Sequence, residues 1–322
     1  MIDGLRSVLT GVAALGVGVA ALVACGANPP EGFHPDPPGG GIDAGTVASA
    51  DAGATSPPGP PPPTLGLGND AGPGDAGPPP PPAAPVAIVY AHSADTLYKL
   101  DPTTHAVSVV GKFTGCTQVI DLALDQSSNA YVTTQTSFCK LDLATAKCTH
   151  IADGSYPNSL SFVPKGTLDP NVEALVGYVG SEYVRIDPPS GAVSNVGNLS
   201  GGYQSSGDIV SVIGGGTFLT VTGNGCSDCL IQVDPKTGDV VQNYGDVSHG
   251  DVYGLAFWGG SAYGFDSAGE VFSIVAADGG IATQVIPVPN PPANLSFWGA
   301  GSTTSAPPTA ADGGGIPILP PK

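Results

Sequence analysis

Two acidic residues are the strongest candidates for chemistry in this chain. Asp121 and Asp208 each stand immediately before a short apolar run, Leu122-Ala123-Leu124 and Ile209-Val210. Aligning such runs on Leu122, Leu160, Ile209, Leu255 and Leu295 places Asp121, Ser159, Asp208, Gly254 and Asn294 at one level. It places Ala123, Ser161, Val210, Ala256 and Ser296 one step deeper on the same face. If these runs are strands packed around an axis, the first level is a polar, partly acidic ring at a channel mouth. Such a ring could hold a hard cation such as Ca²⁺ or the hydroxyls of a small ligand. Two carboxyls facing one site are also the set that hydrolyses glycosidic bonds. Two carboxylates among three neutral positions are few for a cation cage, and the plainer role of wetting a channel mouth and capping strand ends uses the same residues.

Cysteine offers a second chemistry. Cys226-Ser227-Asp228-Cys229 has the spacing that elsewhere serves zinc or thiol exchange. Zinc needs a second Cys or His pair, and a reactive thiolate usually sits at a helix N-terminus. Neither context accompanies this motif, so a local disulfide between Cys226 and Cys229 is expected. Cys139 and Cys148 flank a predicted hairpin at apolar-phase positions, which makes a cross-hairpin bridge feasible, with Cys116 competing for either partner. There is no Gly-x-Ser-x-Gly elbow, no His-x-His pair and no zincin helix, and the histidines are scattered at His34, His92, His105, His150 and His249. The sequence thus assigns no catalytic residue, no metal ligands and no cofactor, the channel-mouth cation excepted.

The composition says where such a site would operate. Net charge is −18 with only nine Lys plus Arg, which removes the electrostatic grip needed for nucleic acid and serves solubility instead. Arg6 precedes an apolar run from Val8 to Ala24, and Leu22-Val23-Ala24-Cys25 has the form of a bacterial lipobox. The expectation is a lipoprotein signal peptide over 1–24 and a lipidated Cys25, acylated through its sulfur. That would leave an exported protein anchored to a bacterial membrane, with the outer membrane facing the periplasm or the cell surface as the expected location. Export also favours disulfides, and with Cys25 acylated the five remaining of the six cysteines leave at least one thiol unpaired or bonded between chains. Much of the proline and glycine falls in 25–84, in repeats such as Ala50-Asp51-Ala52-Gly53 and in the runs Pro57 to Pro63 and Pro78 to Pro82. This is a disordered Pro/Gly/Ala/Asp-rich linker that would hold a folded domain away from the membrane. A second Pro/Gly tail covers 305–322.

Between them lies a repeat. Leu97-Tyr98-Lys99-Leu100-Asp101, Phe138-Cys139-Lys140-Leu141-Asp142, Tyr183-Val184-Arg185-Ile186-Asp187 and Leu230-Ile231-Gln232-Val233-Asp234 are four copies, and Val271-Phe272-Ser273-Ile274-Val275 is a degenerate fifth. In each clear copy an alternating strand ends in Asp, and a four-residue turn follows. Proline or a similar residue presets the turn, the Asp carboxylate accepts backbone N–H groups, and Gly191 or Gly238 returns the chain through a left-handed conformation. His105 and Ala146 hold that place in the first two copies; histidine tolerates the left-handed conformation, whereas Ala146 should carry some strain or adopt a different turn. The anchors recur every 41 to 47 residues or so, within the roughly 40 to 50 of a four-stranded propeller blade. The first copy lacks an innermost strand, and Asn294-Leu295-Ser296-Phe297-Trp298 at the other end lacks a sheet. That segment matches Gly254-Leu255-Ala256-Phe257-Trp258, which would put Trp258 and Trp298 at equivalent strand ends. The prediction is all-β: a five-bladed β-propeller over 85–304, closed by a C-terminal innermost strand.

The hairpin repeat resembles those of quinoprotein-like and YVTN-type bacterial propellers. The resemblance implies a propeller fold and covers most of 85–304, but it carries over no quinone site, because the tryptophan docking motifs of quinoproteins are not matched. Three functions follow as expectations. The first is a monomeric, membrane-anchored envelope or surface lipoprotein whose propeller is a non-enzymatic binding module for a protein, glycan or small ligand. The second is a carbohydrate-active hydrolase or lyase using the carboxylates at the channel mouth, by analogy with five-bladed glycosidases. The third is a scaffold or assembly lipoprotein.

Overall fold

The Asp-anchored turns form as the repeat requires. In the computed structural model, which describes residues 87–277 and 280–306, Asp101 Oδ1 accepts the N–H groups of Thr103 and Thr104 at 2.8 and 3.0 Å. Asp142 Oδ1 accepts those of Ala144 and Thr145 at 2.8 and 3.2 Å, and Asp234 Oδ1 that of Lys236 at 2.9 Å. These bonds favour the ionised form: the Thr104 and Thr103 N–H groups pull Asp101 below the ordinary carboxylate range, and that of Ala144 does the same for Asp142. His105, Ala146, Gly191 and Gly238 then turn the chain back with φ of 58, 56, 71 and 73°. For Ala146 this conformation costs about 1–2 kcal/mol, partly offset because its methyl is fully buried.

Among the described residues, twenty strands make five four-stranded antiparallel sheets. Blade one contains β1 (Val89–His92), β2 (Thr96–Leu100) and β3 (Val107–Lys112). Blade two is β4 (Val119–Leu124), β5 (Ala130–Thr134), β6 (Ser137–Asp142) and β7 (Lys147–Asp153). Blade three is β8 (Leu160–Val163), β9 (Ala174–Val179), β10 (Glu182–Ile186) and β11 (Val193–Asn198). Blade four is β12 (Gln204–Ser211), β13 (Thr217–Gly223), β14 (Cys226–Val233) and β15 (Val240–Asp246). Blade five is β16 (Val252–Trp258), β17 (Ser261–Asp266), β18 (Val271–Ala277) and β19 (Gly280–Ile286). The last strand, β20 (Gly299–Ser302), returns to blade one and pairs with β1 from Val89↔Ser302 to His92↔Gly299. The fold is a five-bladed β-propeller closed by a C-terminal innermost strand. Innermost strands such as β8 and β20 are buried along their whole length, whereas the outermost β11 faces solvent, which is why the former read as unbroken apolar or small-residue runs.

The closing strand differs from the expected segment. Asn294 to Trp298 is not a strand, and pairing begins at Gly299, five residues later than the Leu295 alignment required. The apolar alternation that imitated a strand serves another purpose. Phe297 is fully buried between blades five and one, edge-on to Tyr98 at 6.1 Å and to Phe265 at 5.2 Å, and Leu295 packs against the same cluster. Trp298 therefore precedes its innermost strand, while Trp258 ends its own, so the two tryptophans lie at opposite ends of the blades rather than at equivalent ones.

The disulfides also need one correction. Cys226 and Cys229 bond as expected, with Cα atoms 5.4 Å apart. Cys148 bonds Cys116, not Cys139, with Cα atoms 5.6 Å apart. The β6–β7 register sets Cys139 opposite His150 and Cys148 opposite Leu141, so the two sulfurs do not meet across the hairpin. The segment carrying Cys116 instead lies alongside β7, where Cys148 N–H donates to Thr114 O at 2.8 Å. Cys139 is a buried free thiol, and burial raises its pKa. The predicted signal segment 1–24, Cys25, the linker 25–84 and residues 307–322 of the tail lie outside the described residues.

Gly238 tests the packing of these turns. A Cβ there would stand 2.4 Å from Tyr183 Cβ and Cγ, on a backbone already left-handed. Gly238→Ala is expected to destabilise the domain by about 2–4 kcal/mol, combining left-handed strain with overpacking against a side-chain root that cannot swing away. Urea denaturation of the two proteins measures it, and a loss below about 1 kcal/mol would show that the turn repacks freely.

Candidate functional site at the propeller axis

Four of the five residues aligned from the sequence do meet near the axis. Asp121, at the start of β4, accepts the N–H of its own neighbour Leu122 at 2.7 Å and, through its other oxygen, that of Leu160 in blade three at 2.6 Å. Asp208, in β12, likewise accepts from Ile209 at 2.6 Å and from Leu255 in blade five at 2.7 Å, and it is also bonded by the N–H of Ala300 in β20. Ser159 Oγ accepts the Tyr178 N–H at 2.9 Å within blade three. Gly254 and the true blade-one counterpart, Gly299, contribute space. A Cβ on Gly254 would lie 2.7 Å from Ala300 N, and one on Gly299 would lie 2.4 Å from His92 Nε2 and 2.6 Å from Asp121 Oδ1. Asn294 is not part of this level: it is exposed, with φ of 56°, in the connection before β20.

This ring is not wet. Asp121, Ser159 and Asp208 have no exposed surface. The two carboxyl groups are hydrogen-bonded to each other, and burial together with the Asp208 charge holds Asp121 well above the ordinary carboxylate range, while burial does the same for Asp208. Like charges in contact within a low-dielectric interior oppose each other's ionisation, which favours a proton held by the pair. Each N–H that loses its carboxylate acceptor here would cost about 1–3 kcal/mol. The chemistry of the pair is therefore fastening: Asp121 ties blade two to blade three, and Asp208 ties blade four to blades five and one.

His92 completes the buried polar set. Its Nδ1–H donates to Ser93 O at 2.9 Å, which fixes the neutral tautomer, and its main-chain carbonyl accepts the Trp298 N–H at 2.7 Å. Nε2 is buried beside Gly299 with no hydrogen-bond partner among the described residues. Burial pushes the imidazole down to about 4, against the opposing pull of the Ser93 carbonyl.

Above this level opens a cavity of about 310 Å³. The residues one position before the buried ring line it, namely Ile120, Asn158, Gly207, Tyr253 and Trp298, with Gln135 and Ser206 completing the wall. All five blades thus contribute. Strict alternation would send residues 120 and 253 to the opposite side of their strands from 121 and 254. Bulges between Val119 and Asp121 and between Val252 and Gly254, with a longer slip between Ser205 and Ile209, bend the strand starts instead. Trp298 is 42% exposed there, and Tyr253 OH donates to Asp251 Oδ1 at 3.1 Å. Among the described residues, no carboxylate, Lys, Arg or His lines this cavity. The alignment missed the wall by one residue, and the sequence signal that could have found it is the aromatic before each glycine, Tyr253-Gly254 and Trp298-Gly299.

No protein-family model and no curated protein matches the sequence. Among solved structures, the chain is similar to Kuenenia stuttgartiensis hydrazine synthase, at 15% identity, 61% of this chain, 62% of that chain and a TM-score of 0.37. It is also similar to a chain of a nidogen/laminin complex, at 10% identity, 69% of this chain, all of that chain and a TM-score of 0.44. A third is a β-propeller domain from Myceliophteria thermophila, at 12% identity, 59% of this chain, 62% of that chain and a TM-score of 0.37. The match spans less than two thirds of the hydrazine synthase chain. None of these similarities bears on function.

The buried histidine gives the domain a defined acid limb. An unfolded His takes up its proton near pH 6.5, whereas His92 resists protonation to about pH 4, so folding loses up to about 3 kcal/mol as pH falls through that window. The carboxyl pair acts with the opposite sign, because it retains a proton that unfolded Asp sheds near pH 4, and its contribution declines as pH rises above that value. His92→Gln is expected to remove the acid-side loss between pH 6.5 and 4. Chemical denaturation across that range measures the difference between the two profiles, and parallel profiles would mean that His92 titrates normally.

Proposed function

We infer that the protein is a non-catalytic binding module whose propeller takes a neutral, hydroxyl-rich ligand, a sugar unit, at the cavity on its axis. The observation that carries this reading is the lining: two aromatic side chains, Trp298 and Tyr253, share the wall with the amides of Asn158 and Gln135, and no carboxylate or cation is among the described lining residues. A sugar ring offers an apolar C–H face for an aromatic and a rim of hydroxyls for amides, so its two kinds of surface match the two kinds of wall. A volume of about 310 Å³ accommodates one such ring rather than an extended chain. The neutrality of the wall in a chain of net charge −18 argues against an anionic or cationic ligand as the preferred one.

The hydrolase reading has less support. Its two carboxyls, Asp121 and Asp208, lie below the cavity, are fully buried, and spend their oxygens on backbone N–H groups and on each other. Glycosidases need separated carboxyls that reach the sugar. A scaffold role has less support, since among the described residues the large exposed apolar side chains Val109, Val172 and Val285 lie on blades one, three and five, apart from one another. The lipobox at Leu22-Val23-Ala24-Cys25 adds the location: a lipid-anchored module at a bacterial envelope, with the linker giving it reach to glycans of that envelope. The quinoprotein-like or YVTN-type character of the repeat rests on its hairpin motif.

Trp298 fluorescence reads the proposal directly, because Trp258 is buried at the far end of blade five. Titration of the full chain with neutral monosaccharides and envelope glycan fragments is expected to give a saturable emission change. Trp298→Ala should abolish the signal, and Tyr253→Ala should weaken binding about tenfold, with unchanged far-UV spectra. No saturable response to any neutral saccharide would defeat the binding reading, and release of reducing ends during the titration would replace it with the hydrolase.

A further inference from the structure

We propose that His249, Asp266 and Glu270 form a binding site for one divalent transition-metal ion of the zinc type, on the rim of blade five. The ligand atoms of these three side chains all lie within 4.8 Å of one another. His249 Nδ1 is 3.7 Å from Asp266 Oδ2 and 3.7 Å from Glu270 Oε2. Those distances are too long for charge-assisted hydrogen bonds, which close to about 2.7–2.9 Å. They are close to the separation of two ligands on a shared metal: bonds of about 2.0–2.2 Å at a tetrahedral angle put ligand atoms about 3.4 Å apart.

Each ligand is held in place by something other than its two partners. The imidazole lies flat on Phe272, with ring centroids 3.7 Å apart and planes within 3°, and only 12% of the side chain is exposed. Phe272 itself is fully buried, so the platform is rigid. Asp266 Oδ1 accepts the N–H groups of Ala268 and Glu270 at 3.0 and 2.9 Å, which orients the carboxylate. Its Oδ2 makes no hydrogen bond among the described residues and points at His249 from a side chain only 6% exposed. A carboxylate oxygen that is nearly buried and aimed at an imidazole nitrogen without bonding it is the feature a cation would satisfy. Glu270 is half exposed, so it would supply the third ligand from the solvent side and leave a fourth position for water.

The donor set selects the ion. One imidazole and two carboxylates with an open position match the ligand count of zinc sites, whereas Ca²⁺ takes six to eight oxygens and discriminates against nitrogen. The ion would clip the connection between β15 and β16, which carries His249 and leads into Tyr253, to the turn between β17 and β18. That turn also receives the chain before Trp298, since the Phe297 N–H donates to Asp266 O at 3.2 Å. The site stands independently of what the axial cavity binds.

Isothermal titration of the chelator-treated full chain with Zn²⁺, together with the visible spectrum after Co²⁺ addition, tests it. The expected result is one saturable site per chain and a Co²⁺ spectrum of tetrahedral intensity. His249→Ala should abolish both, and Glu270→Gln, at a half-exposed position that leaves packing intact, should weaken Zn²⁺ at least tenfold. His150→Ala, which alters an exposed His–carboxylate pair elsewhere, with His150 Nε2 2.9 Å from Asp153 Oδ1, should change neither. Absence of a saturable site, or equal Zn²⁺ affinity in the wild type and Glu270→Gln, would overturn the assignment.

Discussion

The buried contact between the Asp121 and Asp208 carboxyls is the constraint on which the rest of the structure depends. A five-bladed propeller brings five innermost strands together at their starts, and the N–H groups there have no neighbouring strand to bond. Leu122, Leu160, Ile209, Leu255 and Ala300 present five such donors from five blades. Water could serve them only in an open channel. Two carboxyls serve them in a closed one, at the cost of bringing two acids into contact, a repulsion that a proton held by the pair would relieve. The small residues around them, Gly254 and Gly299, are those that allow the strands to approach this closely.

Sealing the axis makes the cavity above it a pocket. Because the acidic level is buried, the surface of the cavity is the ring one residue higher, where Ile120, Asn158, Gly207, Tyr253 and Trp298 meet. The same closure positions that ring: β20 places Trp298 by pairing Gly299 with His92, and the His92 carbonyl holds the Trp298 N–H. Two layers with separate tasks therefore sit a single residue apart along each innermost strand, one fastening the blades and one presenting side chains to solvent.

That spacing explains what the sequence could and could not disclose. The hairpin anchors Asp101, Asp142, Asp187 and Asp234 are local devices whose bonds run within a few residues, so their pattern was legible and with it the blade count. Asp121 and Asp208 were legible as a level because each precedes an apolar strand residue. Their state was not, since burial and mutual contact are properties of five strands meeting. The closing strand misled because Leu295 and Phe297 alternate like a strand while acting as a plug between blades, and the true strand, Gly299-Ala300-Gly301-Ser302, has almost no side chains with which to announce itself. The cavity wall was hidden by bulges, which break the two-residue period that sequence reasoning relies on. Cys116 found Cys148 through a segment folded beside β7, a pairing that hairpin phase alone does not reveal.

The measurement that bears most directly on this account is the titration of the Asp121 and Asp208 carboxyl carbons by nuclear magnetic resonance on the ¹³C-labelled protein. A fastening pair sharing one proton predicts coupled titration, with one proton retained well above the ordinary carboxylate range and both resonances responding to the same step. Two independent titrations near pH 4, each carboxyl ionising as it would in solvent, would mean that the axis is open to water and that these residues belong to the mouth after all.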